Sequence, residues 1–322
     1  MEKKNGKGKE ISTIIGLDFE GEYLDGKRNG TGKEYKYDRL IYEGEYLNGE
    51  RNGKVAEYKY NKLIFEGGYL KGKKNGKGKE YNYDGQILFE GVYLNGKRNG
   101  KAKEYEYKYG KLIFKGEYLN GERNGTGKEY NYDDRIMFDG EYLNGKRNGK
   151  GKEYNYGKLI FEGEYLNGER NGKGAEYKYN KLVFEGVYLN GEKNGKGKEY
   201  NYDGQILFEG VYLNGKRNGK GKEYNYNDRI LFEGEYFDGK RNGKGTEYKY
   251  DQLIYEGEYL NGEKNGKGTE YNYDGQILFE GEYLNGERWN GKGKLYNAYG
   301  TLLFEGQYLD GNRKGKEYNW NS

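Results

Sequence analysis

Histidine, cysteine and proline are all absent from the 322 residues of this chain, and serine occurs only at Ser12 and Ser322. Without His or Cys there is no Ser-His-Asp triad, no thiolate nucleophile, no imidazole or thiolate metal site and no disulfide. Without Pro, nothing in the chain forces a break in a backbone hydrogen-bond ladder. Trp and Met number 2 each, against 41 Tyr and 12 Phe. Burial must therefore come largely from aromatic rings, most of which carry a polar tip. No apolar run approaches the roughly 18 residues of a membrane-spanning helix. The opening Met-Glu-Lys-Lys-Asn-Gly-Lys-Gly also lacks the apolar stretch of a secretory signal. The expectation is a cytoplasmic protein without a cofactor or a metal, peripheral at a membrane or cytoskeletal structure if it meets either. A near balance of 57 basic and 53 acidic groups gives a net charge of +4. The long-range field is small, so any electrostatic partner has to be met by local segregation of charge.

What is present is repetition. The stretch from Phe89 to Gly100, Phe-Glu-Gly-Val-Tyr-Leu-Asn-Gly-Lys-Arg-Asn-Gly, recurs with its first aromatic at Phe19, Tyr42, Phe65, Phe89, Phe114, Phe138, Phe161, Phe184, Phe208, Phe232, Tyr255, Phe279 and Phe304. The intervals of 23 to 25 residues are those of one supersecondary unit in an array, not of a domain. Lys74 to Gly100 is identical to Lys193 to Gly219, which favours surface and array length over any unique pocket.

Each unit reads as two half-buried strands. In Leu40 to Leu47, alternation sets Tyr42, Gly44 and Tyr46 on one face and Glu43 and Glu45 on the other. In Lys33 to Tyr37 the same rule sets Tyr35 and Tyr37 on one side and the charges on the other. The segment Gly26-Lys27-Arg28-Asn29-Gly30 predicts a long hairpin turn. A shorter linker (Asp38-Arg39, or Asp84-Gly85-Gln86) joins one unit to the next. No stretch reads as a helix. The fold class is thus all-β, an elongated single-layer antiparallel rod of about 13 hairpins, roughly 120 Å long at about 4.8 Å per strand. Residues 1–18 form a partial repeat or cap, 19–318 the array, and 319–322 the C-terminal end.

Three candidate surfaces follow. The second variable turn position is basic in all thirteen copies and the preceding one is often Lys. Together they suggest a basic edge for anionic surfaces: Lys27, Arg28, Lys73, Lys74, Lys97, Arg98, Lys146, Arg147, Lys216, Arg217, Lys240 and Arg241. The alternative is that charged turns only keep a ring-rich sheet from sticking to itself. Nucleic acid is not the expected ligand, because Glu occupies the preceding position in six turns. Phe89, Tyr93, Phe114, Tyr118, Phe138, Tyr142, Phe161, Tyr165, Phe184, Tyr188, Phe208 and Tyr212 are either a self-covered core or an open aromatic groove for a partner segment. Trp289, Phe304 and Trp320 near the far end are candidates for a cap or a homodimer contact. The paired carboxylates Glu20 and Glu22 could do acid–base work or hold Ca²⁺, but a solvated stripe is the simpler reading. Gly30-Thr31-Gly32 is no phosphate loop, since no helix follows it.

The unit aromatic-Glu-Gly-x-Tyr, then Gly-Lys, then Gly-x-Gly, as in Phe232 to Tyr248, resembles the MORN (membrane occupation and recognition nexus) repeat. The resemblance runs from Phe19 to about Tyr318. Asn stands where the family commonly has His, and the Tyr-x-Tyr second strand is a further departure. Choline-binding wall repeats are also aromatic-glycine hairpins, but they depend on Trp, which is scarce here. The resemblance to MORN repeats implies no enzyme but a scaffold or adaptor rod that mediates protein–protein interaction, spacing or tethering, sometimes dimeric. An alternative role is peripheral binding to anionic phospholipid through the basic turns. A further one is an antitoxin-like neutralising partner.

Overall fold

The computed structural model describes residues 4–12 and 16–318. Among these residues there are 27 strands and no helix, so no helix is long and apolar enough to cross a membrane. The chain forms two compact units. One takes residues 1–159 and 165–169, the other 160–164 and 170–322. Within each, strands pair antiparallel with their neighbours in sequence. In the second unit, for example, strand Ile206–Leu213 lies between Glu192–Tyr200 and Lys216–Tyr224. In the first, Ile87–Leu94 lies between Lys73–Tyr81 and Lys97–Tyr105. Strand Gly6–Glu10 pairs with Leu17–Leu24, in the way that the second strand of each hairpin pairs with the strand that follows it.

The predicted long turn is shorter than its sequence suggests. Asn214 and Gly215 both have positive φ, 50° and 80°, which is the two-residue turn whose twist matches paired strands. Lys216 and Arg217 therefore open the next strand instead of sitting in the turn. A second glycine, Gly219 at φ 74°, sits in a bulge where the register slips between Gly210 and Tyr212. The bulge sets Arg217 directly opposite Tyr212, on the ring side of the sheet.

All but one of the described linkers, that at residues 106–111, are of two kinds. The two-residue form is a turn of its own, as at Tyr250 and Asp251 with φ of 54° and 65°. In the longer form the Asn82 side-chain oxygen accepts from the backbone N–H of Asp84 at 3.0 Å and of Gln86 at 2.9 Å, an Asx turn. Either is preceded by a register slip, such as Glu80/Tyr81, which keeps the next strand the right way up. The expectation that Tyr35 and Tyr37 share a face is corrected here. Tyr37 lies in the turn at φ 49° and is exposed, while it is Glu34, 6 % exposed, that faces the rings. Glu34 can be buried because it accepts from Tyr46 at 2.8 Å and is paired with Arg28 and Arg51.

The core is one ring deep. Phe208, Gly210 and Tyr212 alternate along one strand face, and Gly210 stands opposite Gly221. A Cβ at Gly210 would lie 2.5 Å from the Phe208 ring and 2.8 Å from Gly221 Cα. The ring thus lies flat across two facing glycines. All thirteen first-position aromatics are at most 1 % exposed, and burial of each ring contributes about 1.5–3 kcal/mol.

Candidate interaction surface

The ring side is already filled from within. Phe208 meets Tyr212 edge-on at 5.7 Å between centroids and Tyr236 of the next hairpin at 5.2 Å. The Arg217 guanidinium lies 4.0 Å above the Phe208 ring and pairs with Glu199 of the preceding hairpin at 2.5 Å. Glu199 also accepts from the Tyr212 hydroxyl at 2.7 Å. One carboxylate therefore ties together two residues from separate strands of the following hairpin. Burial would push the Glu199 carboxyl up, but the hydrogen bonds from Arg217 and Tyr212 outweigh it and hold the group below the usual carboxylate range. The Tyr212 hydroxyl is pushed well up, by burial first and by Glu199 second. In the first unit Arg98 lies 4.1 Å over Phe89 and pairs with Glu80. Lys74 and Lys193 do the same work with an ammonium 3.8 Å over Phe65 and Phe184.

The twelve predicted basic residues consequently fall into two sets. Arg28, Lys74, Arg98, Arg147, Arg217 and Arg241 turn in over rings. Lys27, Lys73, Lys97, Lys146, Lys216 and Lys240 point outward and are exposed, with Lys216 paired to Asp238. They do not share one edge. The twelve aromatic candidates, from Phe89 to Tyr212, are at most 5 % exposed, so they form core and not an open groove. Phe304 is likewise fully buried, packed on Tyr308. Trp289 is an inserted residue whose ring lies 3.4 Å from the Cβ position of Gly311, and Trp320 lies outside the described residues.

What remains for a partner is the opposite face. There Lys and Glu alternate from strand to strand: Lys33–Glu43 at 3.0 Å, Lys198–Glu209 at 3.1 Å, Lys222–Glu233 at 3.2 Å. In the second unit this face forms a groove of about 1830 Å³ floored by the glycine backbone and walled by Val187, Lys196, Glu209, Val211 and Lys220, among others. In the first unit a groove of about 1250 Å³ takes in Lys54, Gly68, Lys77, Val92 and Lys101. Glu20 and Glu22 do not act as a pair. Glu20 stands opposite Lys33, and Glu22 accepts from the Thr31 backbone N–H at 3.1 Å. Among the described residues no group of three or more acidic side chains is placed to hold a metal ion.

Two exposed rows escaped the reading of the sequence. Leucines that follow most of the buried second-position tyrosines, such as Leu94 and Leu213, are about half exposed. Linker tyrosines such as Tyr226 and Tyr250 are more than two-thirds exposed. The signal for the latter was the Tyr-Asp or Tyr-Asn pair itself, which marks a turn where the repeat suggested a strand.

Comparison with known families gives a match to the MORN repeat in eleven segments: residues 19–39, 42–54, 65–87, 89–105, 114–133, 138–155, 161–181, 184–206, 208–227, 232–253 and 255–277. Comparison with curated proteins gives no match. Among solved structures the chain is similar to the crystal structure of TcdB2-TccC3 without its hypervariable C-terminal region, at 13 % identity and a TM-score of 0.18. That alignment covers 96 % of this chain and 20 % of the other, so the chain spans about a fifth of the protein it matches.

Proposed function

We propose, for a chain that belongs to the MORN repeat family, the role of a non-enzymatic scaffold that binds partner proteins along its Lys–Glu face. MORN repeats are linked in general to protein–protein or membrane–lipid interaction. The observation that carries the protein-binding reading is the division of labour between the two faces. Rings, arginines and one Glu per hairpin are spent on each other on one side. The other side repeats a solvent-facing row of Lys–Glu pairs over a groove. A surface repeated this way suits extended contacts built from many weak pairs, each worth about 0–1 kcal/mol in water, and offers no singular reactive centre.

The test exchanges partners within the pairs. Lys198→Glu with Glu209→Lys, together with Lys222→Glu and Glu233→Lys, keeps each ion pair and inverts its direction. Capture of proteins by the full chain, read by mass spectrometry, should lose its specific partners in the exchanged variant. An unchanged partner set contradicts the reading.

Lipid binding is a second reading, supported by the half-exposed leucines beside exposed lysines, as Leu94 with Lys97 and Leu213 with Lys216. Each basic group near an anionic surface is worth about 1 kcal/mol. Flotation with phosphoinositide vesicles that is abolished by Lys97→Glu, Lys216→Glu and Lys240→Glu supports it; flotation indifferent to those changes excludes that mechanism.

A further inference from the structure

Most hairpins contain a glycine bulge, and most of these cover it with a carboxylate of their own. Glu22 accepts from the backbone N–H of Thr31 at 3.1 Å, Glu164 from Lys173 at 3.2 Å, Glu235 from Lys244 at 3.2 Å and Glu258 from Lys267 at 3.1 Å. In each case the carboxylate folds over the bulge glycine. The Cβ position of Gly30 is 1.9 Å from Glu22 Oε2, and that of Gly243 is 2.1 Å from Glu235 Oε2. A left-handed residue followed by a free N–H is a small anion-binding concavity. The protein itself shows which anion fits it: a carboxylate.

Four of the bulged hairpins lack that Glu. Gly68, Val92, Val187 and Val211 stand in its place. The corresponding bulge glycines are open. Nothing lies within 4 Å of the Cβ position of Gly76, and at Gly100, Gly195 and Gly219 the nearest atom is a valine carbon at 3.8, 3.4 and 3.8 Å. The four occur as neighbouring pairs, one pair in each unit, and the residues in place of the Glu, Gly68 and Val92 in one unit and Val187 and Val211 in the other, line that unit's groove. Charge follows the same pattern. Lys77 stands opposite Val92 across the ladder, and Lys196 opposite Val211, where other copies place a Glu, as Lys244 opposite Glu258. Lys54 stands opposite Gly68. Rows of three lysines result, Lys54, Lys77 and Lys101 in one unit and Lys173, Lys196 and Lys220 in the other, with no carboxylate between them in the row.

We propose that these paired bulges receive the carboxylates of an acidic segment of a partner protein, taking the place that Glu22 or Glu235 fills elsewhere. The proposal rests on the scaffold reading above and gives its partner a chemistry. Neighbouring hairpins repeat every two strands, about 9.6 Å. A polyproline II segment returns to the same side every three residues, about 9.3 Å, whereas a β-strand alternates sides. The fitting partner therefore carries Asp or Glu at every third residue of an extended, unfolded stretch.

A labelled synthetic peptide with Glu at every third position in a Gly/Ser/Pro background is the probe, with its Gln counterpart and a version with Glu at every second position as comparators. Fluorescence anisotropy is read against the full chain and against Val92→Glu/Val187→Glu/Val211→Glu. The variant supplies its own carboxylates by a device that neighbouring hairpins already use, and circular dichroism should show it folded. The expected result is at least about tenfold weaker binding to the variant, and to either comparator by the unaltered chain. Equal affinity for variant and unaltered chain, or for the Gln peptide, overturns the proposal. So does binding of phosphatidylserine vesicles or inorganic phosphate that is lost in the variant while the peptide does not bind, since that assigns the bulges to phosphate. If the variant captures the same proteins as the unaltered chain, only this inference falls; if the unaltered chain captures none, the scaffold reading itself falls.

Discussion

Two adjacent basic residues, Lys216 and Arg217, look interchangeable in the sequence and differ sharply in what they hold. Arg217→Ala removes a cation 4.0 Å above the Phe208 ring, worth about 0.5–1 kcal/mol or more where water is excluded. It also removes a charge-assisted hydrogen bond to Glu199, worth about 1.5–3 kcal/mol, and leaves that carboxylate with Tyr212 as its nearest donor. The two losses together come to about 2–4 kcal/mol. Lys216→Ala removes an ammonium whose side chain is 57 % exposed, from a pair with an Asp that is 62 % exposed, and costs about 0–1 kcal/mol. Arg217→Lys should fall between, because Lys193 already spans the equivalent contacts, 3.8 Å to Phe184 and 3.0 Å to Glu176. An array opens locally before it opens globally. Native-state hydrogen exchange at the amides of 208–223 is therefore the sensitive assay, with hairpins several repeats away as internal reference. Equal exchange in Arg217→Ala and Lys216→Ala would refute the assignment of Arg217 to the core.

Three further outcomes can be checked directly. Glu80, Glu104 and Glu199 are held below the usual carboxylate range by their Arg and Tyr partners despite burial. The stability they contribute is present above the unfolded value near 4.3 and is lost as pH falls below it, so the urea midpoint should drop between pH 5 and about 3, and less so in a chain lacking the arginines. The buried hydroxyls of Tyr93, Tyr118 and Tyr212 are raised by burial and by their Glu partners. Their contribution is intact below about pH 10 and declines above it, and absorbance at 295 nm should show these rings ionising only together with loss of the β circular dichroism signal. Gly210→Ala places a Cβ 2.5 Å from the Phe208 ring and should cost about 3 kcal/mol; Gly215→Ala, at φ 80° with nothing within 4 Å, should cost about 1 kcal/mol through strain alone. Reversal of that order in urea titrations would contradict the flat packing of rings on glycine.

The alternation of Phe208, Gly210 and Tyr212 was legible because period two survives without any knowledge of neighbours. The turn was not. Gly215-Lys216-Arg217-Asn218-Gly219 contains two glycines that both need positive φ, and only the ladder tells which closes the hairpin and which makes the bulge. Once the turn is drawn one step too late, Arg217 is read as solvent-facing. The partner that draws it inward, Glu199, comes from the preceding hairpin, 18 residues away, and no local pattern points to it. The same gap put the groove on the wrong side. Alternation separates Glu209 from Phe208 but does not say that the rings will be sealed by arginines while the charged side stays open.

The most direct test of a Lys–Glu recognition face is site-specific photo-crosslinking from the full chain. Benzoylphenylalanine in place of Val211 lies in the groove, and in place of Tyr226 it lies at the exposed linker turn. The expected result is protein adducts from position 211 and none from position 226. Adducts from 226 alone, or lipid adducts alone from 211, would contradict it.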